Sequence, residues 1–238
     1  MPCIPLRLAC APIAIALFAA AGCARTPAPH PQPLSAPHAA LLLDPANPEW
    51  RTPAPPVSHL RFETTKGVFV LELVRAWGPI GADRLYNLAR LGYYDDTRFH
   101  RVVHNYIVQW GINGNPAVNA VWENRYLPDD PPRSHNVRGT FAFAFKGTGQ
   151  PNTRSTQLYV NLGDNTRNDV EAFTILGRVV EGMSVLDSLY SGYGDKSGSG
   201  VRQGRQGPLE AGGNAYIDRE YPLLDRVLRV TVSEEPAH

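Results

Sequence analysis

The chain predicts a mainly β fold, with short strands closing into an antiparallel barrel and two helices capping it. Three observations carry that reading. Apolar and polar side chains alternate over short runs, and Gly, Pro and Asn turns separate those runs throughout residues 59–238. Only two stretches show helical spacing, and strands that fold into a barrel leave no exposed edge.

The runs follow in order. Residues 60–64 alternate, Lys66-Gly67 makes a turn, and 68–73 continue with β-branched and aromatic side chains, which reads as a hairpin. After Pro79, Ile80, Leu85, Leu88 and Leu91 recur near a 3.6-residue period and Gly92 supplies a stop, so a helix is expected. Strands are expected over 98–103, 106–109, 140–145, 157–161 and 174–179, then a second helix over 181–189 and a last strand over 225–232. The glycine-rich run 192–213 reads as an exposed loop, because it lacks the Gly-Lys-Ser/Thr order of a phosphate loop.

Composition narrows the function classes. Lys and Arg number 23 against 22 Asp and Glu, and Arg7 lies in the first 22 residues, so the remainder balances to zero and nothing favours nucleic acid. The three cysteines, Cys3, Cys10 and Cys23, precede residue 24, which removes disulfides, cysteine-based zinc sites and a cysteine nucleophile from the domain. Residues 1–22 carry one cation and an uncharged apolar run ending in small residues, the layout of an export signal. Ala20-Ala21-Gly22-Cys23 resembles the lipobox of bacterial lipoproteins, which makes Cys23 the expected lipidation site and a membrane the expected partner. The acyl chains would hold the protein at the outer membrane facing the periplasm; ordinary secretion into the soluble periplasm is the alternative. Residues 24–58 hold ten of the 22 prolines and read as a semi-stiff spacer, with a single domain over 59–238.

Three motifs occur in one order along the domain. Residues 99–111 read Phe-His-Arg-Val-Val-His-Asn-Tyr-Ile-Val-Gln-Trp-Gly. Residues 139–144, Gly-Thr-Phe-Ala-Phe-Ala, lead to 151–160, Pro-Asn-Thr-Arg-Ser-Thr-Gln-Leu-Tyr-Val, and 173–183 read Phe-Thr-Ile-Leu-Gly-Arg-Val-Val-Glu-Gly-Met. Together they resemble the signatures of the cyclophilins, prolyl cis/trans isomerases whose fold is a closed eight-stranded antiparallel barrel capped by two helices. Trp110-Gly111 stands where the family usually has two glycines, and Phe173 stands where histidine is common.

What the resemblance implies about the site is specific. Arg101 matches the catalytic arginine, and Gln109 and Gln157 match the amides that hold it and the substrate backbone. Tyr106, Ile107, Tyr159 and Phe173 match the apolar cup for the proline ring, with Ala144 lining the groove. Taken without its motif, Arg101 reads equally as a strand arginine in an ordinary ion pair. The expected reaction is rotation about Xaa-Pro bonds of polypeptide clients. It crosses a barrier of about 18–20 kcal/mol with no covalent step, so it calls for no cofactor and no metal. His100 and His104 would suit a metal on a helix, but the strand pattern between them separates two such residues by about 13 Å. A proline-peptide binding module without turnover is the second function class.

Overall fold

The computed structural model describes residues 36–147, 149–171, 173–195 and 206–234. The export-signal reading, Cys23 and the 196–205 part of the glycine-rich run lie outside the described residues.

Strands β1 (Val57–Thr64) and β2 (Gly67–Val74) form the expected hairpin. At its turn Gly67 has φ +130°, a conformation that L side chains rarely adopt, while the Thr64 hydroxyl donates to the Gly67 carbonyl at 2.8 Å. The other strands are β3 (Arg101–Val103), β4 (Ile107–Trp110), β5 (Thr140–Phe143), β6 (Leu158–Asn161), β7 (Ile175–Glu181) and β8 (Val227–Glu234). They make one eight-stranded sheet in the order β3-β4-β6-β5-β7-β2-β1-β8, with antiparallel neighbours throughout.

The sheet is a curled half-barrel, which corrects the closed barrel expected from sequence. Its ends, β3 and β8, meet only through the isolated Arg98–Arg226 bridge just ahead of both strands. The reason lies in what covers β8. The backbone N–H of Val230 donates to the Asp95 carboxylate at 2.8 Å, and the Tyr86 hydroxyl reaches Glu234 at 2.6 Å. Asp95 in the loop after helix α2 (Pro79–Arg90) and Tyr86 within that helix thus occupy the edge of β8 that a ladder would otherwise pair.

Burial pushes the Asp95 carboxyl up to about 6. The folded chain therefore holds that proton more tightly than the unfolded chain, and stability falls as pH rises from about 4 to about 6. Asp95→Asn keeps an oxygen for the Val230 N–H and removes the buried charge. It should stabilise the protein by about 2 kcal/mol at pH 7 and by nothing near pH 4, read by urea denaturation at both pH values.

Strand alternation divides the sheet into two faces. Val102, Val108, Trp110, Phe141, Phe143, Leu158, Val160 and Leu176 point into the main core with Phe62 and Phe69. Trp110 is fully buried, edge-on to Phe62, Phe69 and Phe99, so the bulky side chain in a position usually held by glycine fills the core. The opposite face carries a smaller cluster of Ile107, Ala142, Tyr159 and Ile175.

Three further helices join α2 and α4 (Met183–Asp187): α1 (Ala36–Leu43), α3 (Pro116–Trp122) and α5 (Gln206–Glu220), the last broken at Gly213. All three go beyond the two helices expected from sequence, and two of them also change the reading of the segments they occupy. Residues 36–58, expected to be spacer, pack on the domain: Leu42 and Ala54 are buried, Trp50 meets Trp122 edge-on at 4.6 Å, and the Ala54 N–H donates to Asp83 at 2.9 Å. The end of the glycine-rich run is helical because Leu209 and Ile217 bury against Ile112. That gain outweighs the poor helix propensity of its glycines.

Candidate active site

The strand register assembles the site. Arg101 on β3 pairs directly with Gln109 on β4, Gln109 pairs with Tyr159 on β6, and Tyr159 pairs with Ala142 on β5. Directly opposed side chains share a face, so Arg101, Gln109 and Tyr159 stand in a row outside the main core. Ile107 joins them two residues from Gln109. The tight β3–β4 turn that sets this register is closed by Asn105, at φ 56°.

Polar bonds fix the row. Arg101 donates from Nη1 to Gln109 Oε1 at 3.3 Å, and Gln109 donates from Nε2 to Gln157 Oε1 at 2.8 Å. Gln157 in turn exchanges amide bonds with Gln206 at 2.9 and 3.2 Å. Arg101 Nε also donates to Asp195 Oδ1 at 2.7 Å.

Beside the guanidinium opens a cavity of about 210 Å³. Tyr106, Ile107, Tyr159, Phe173, Ala144 and Phe145 give it apolar walls, while Arg101 and Gln109 lie at its polar side. Phe173 stands edge-on to Tyr159 at 5.2 Å and to Phe145 at 4.4 Å. The Tyr159 hydroxyl bonds Asn136 at 2.5 Å, which satisfies a polar group buried in an apolar wall. Burial also raises its pKa well above the usual phenol value, so it stays neutral. The Tyr106 ring lies between two cations, with the guanidinium carbons of Arg101 and Arg167 at 5.7 and 4.9 Å from its centroid.

The structure thus brings Arg101, Gln109, Tyr106, Ile107, Ala144, Tyr159 and Phe173 to one cavity. Gln157 lies in the adjoining one, of about 420 Å³, which shares Gln109, Ala144 and Phe145 with the first. His100 is fully buried, and burial next to the Arg101 charge holds it down to about 3, so it is neutral at ordinary pH. His104 is exposed in the β3–β4 turn and shares no site with His100. The motifs did not single out Phe145, Asn168 or Glu171 as cavity walls, nor Asp195 and Gln206 as partners of the row. Phe145 follows Ala144 directly, yet strand alternation would have put it on the core face with Phe141 and Phe143; it lines the cavity because β5 ends at Phe143. The partners from residue 195 onward carry no local signal.

Comparison with known proteins gives one answer. Residues 59–205 match the family described as cyclophilin type peptidyl-prolyl cis-trans isomerase/CLD. The chain is 32% identical over 132 residues to peptidyl-prolyl cis-trans isomerase-like 1 of Gibberella zeae, covering 54% of this chain and 79% of that protein. It is also 32% identical over 133 residues to the longer peptidyl-prolyl cis-trans isomerase-like 2 of that fungus, of which it covers 22%. Among solved structures, a cyclophilin type peptidyl-prolyl cis-trans isomerase of Cryptosporidium parvum superposes with a TM-score of 0.55 at 19% identity, over 76% of this chain and 99% of that one. The half-barrel and the family match over most of the domain agree with the cavity beside Arg101: the chain belongs to the cyclophilin-type peptidyl-prolyl cis-trans isomerases, an enzyme family.

Proposed function

We propose that this protein catalyses cis/trans rotation of Xaa-Pro bonds in polypeptides folding in a bacterial envelope, where Cys23 carries its lipid anchor. The observation that carries the catalytic part is the placement of a guanidinium at the polar side of an apolar cavity of about 210 Å³. A prolyl ring enters the cavity between Tyr159, Phe173 and Ile107. As the amide twists, resonance is lost and the nitrogen lone pair becomes a hydrogen-bond acceptor, which the planar amide does not offer. Arg101 donates to that nitrogen, so the contact strengthens in the transition state and lowers the barrier. Gln109 holds the guanidinium, and Gln157 is available to the neighbouring substrate backbone. Reaching milliseconds from tens of seconds takes about four decades, or about 5.5 kcal/mol, within reach of one charged hydrogen bond plus orientation. A protease-coupled assay on a proline peptide tests the reading. Exchange no faster than the uncatalysed rate leaves only a proline-peptide binding module.

The location rests on the sequence of residues 1–23. Two or more acyl chains on Cys23 give a stable membrane hold, each buried methylene adding about 0.8 kcal/mol. Residues 24–35 then separate the anchor from α1, a shorter span than 24–58. Ala24 does not resemble the aspartate of an inner-membrane retention signal, which favours the periplasmic face of the outer membrane. Wild type expressed beside Cys23→Ser should show an acylated mass and membrane fractionation that the variant loses. Unacylated wild type in the soluble periplasm would end the anchor reading.

A further inference from the structure

The roles given to Arg101, Gln109 and Gln157 fall on residues of the three motifs, yet the shortest polar contact of Arg101 comes from elsewhere. Asp195 Oδ1 accepts from Arg101 Nε at 2.7 Å across 94 residues of chain, with the Arg101 side chain 11% exposed. Its geometry differs from three other arginine–carboxylate pairs in the molecule. Arg75–Asp83, Arg98–Asp218 and Arg138–Asp187 each spend two nitrogens on both carboxylate oxygens. At Arg101 the carboxylate takes Nε alone and Gln109 takes one hydrogen of Nη1, while Nη2 donates to no group among the described residues.

The backbone leading to Asp195 is itself held in place. Tyr193 packs edge-on between Tyr190 and Tyr221 at 5.0 and 5.4 Å, the Tyr190 N–H donates to Asp225 at 2.8 Å, and a turn from Ser191 to Gly194 leads to Asp195. Asp195 does not line the prolyl cavity, whereas Arg101 does, so its carboxylate meets the guanidinium from outside the cavity wall.

We infer that Asp195 is a positioning residue for the isomerase reaction: it fixes the plane of the Arg101 guanidinium so that Nη2 faces the prolyl nitrogen. This rests on the isomerase reading above. An arginine side chain has four rotatable torsions, and holding it before substrate arrives removes an ordering cost from the transition state. Two fixed points, Nε on Asp195 and Nη1 on Gln109, define the plane. One alone would leave it free to swing. The effect belongs to kcat, because the cavity walls that bind the proline ring are untouched.

The test uses the full chain, with Asp195→Ala and Asp195→Asn, kcat and KM on a proline peptide, and the thermal midpoint of each variant. Asp195→Ala should lower kcat by about five- to tenfold with KM within about twofold, as for a lost charge-assisted bond beside the pocket. Asp195→Asn keeps an oxygen for Nε and should restore kcat to within about twofold of the parent. Both midpoints should match the parent, since the Asp195 side chain is 36% exposed. An active parent whose Asp195→Ala variant keeps or exceeds the parental kcat would overturn the inference. So would a loss shared equally by the two variants with a lowered midpoint, which marks a structural contact. An inactive parent would sink the isomerase reading instead.

Discussion

Replacing Arg101 with alanine should lower kcat/KM by about 100-fold or more, with secondary structure and urea midpoint unchanged. The side chain lies on the outer face of β3, away from the core packed by Val102, so its loss leaves no core cavity. What disappears is the guanidinium that bonds Gln109 and lines the prolyl pocket. The remaining walls still bind the proline ring, and the loss should fall on kcat. Arg101→Lys should recover little. An ammonium restores the charge but offers neither the Nε held by Asp195 nor the planar fork that presents Nη2. Activity of the alanine variant within twofold of the parent would remove Arg101 from the reaction.

The largest stability effect is expected at Arg154, a fully buried cation from the second motif. Its Nη2 lies 3.0 Å from Asp130 Oδ2, and its Nε lies 3.0 Å from Asp129. Asp130 also accepts from the N–H groups of Ile80 and Gly81 at 2.9 Å each, capping the start of α2 from 50 residues away. Arg154→Ala would leave a buried carboxylate without its cation, a change that costs about 3–5 kcal/mol. Urea denaturation should show that loss. Adding Asp130→Asn should recover part of it, because the unpaired charge goes while an acceptor oxygen remains at the helix end. A single variant as stable as the parent would show that the two N–H groups suffice to hold Asp130.

The site residues were legible through the resemblance of their motifs to those of the cyclophilins, and much of the fold through short-range rules. The β1–β2 hairpin follows from alternation around Lys66-Gly67. Helix α2 follows from the spacing of Ile80, Leu85 and Leu88. A separation of eight positions between Arg101 and Gln109, with a turn between them, places the two directly opposite across the β3–β4 pair. Helix α3 was missed although Asn115-Pro116 gives it a start, with the Asn115 side chain accepting from the Ala117 N–H. Seven residues give too little periodicity to separate from a loop.

The sequence by itself determined the mainly β character and the order of the strands along the chain, since alternation and turn chemistry act over a few residues, and it pointed to the site residues through the resemblance of three motifs to those of the cyclophilins. Tertiary structure alone decided three things. The ends of the sheet stay unladdered because Asp95 and α2 cover β8. Residues 36–58 join the domain because Leu42, Trp50 and Ala54 find buried surface on helices α2 and α3. The 192–213 segment reaches the site because Asp195 and Gln206 meet Arg101 and Gln157. Each of these depends on groups 29 or more residues apart, and no local period records such a pairing: its free energy exists only once the rest of the chain has brought the partners together.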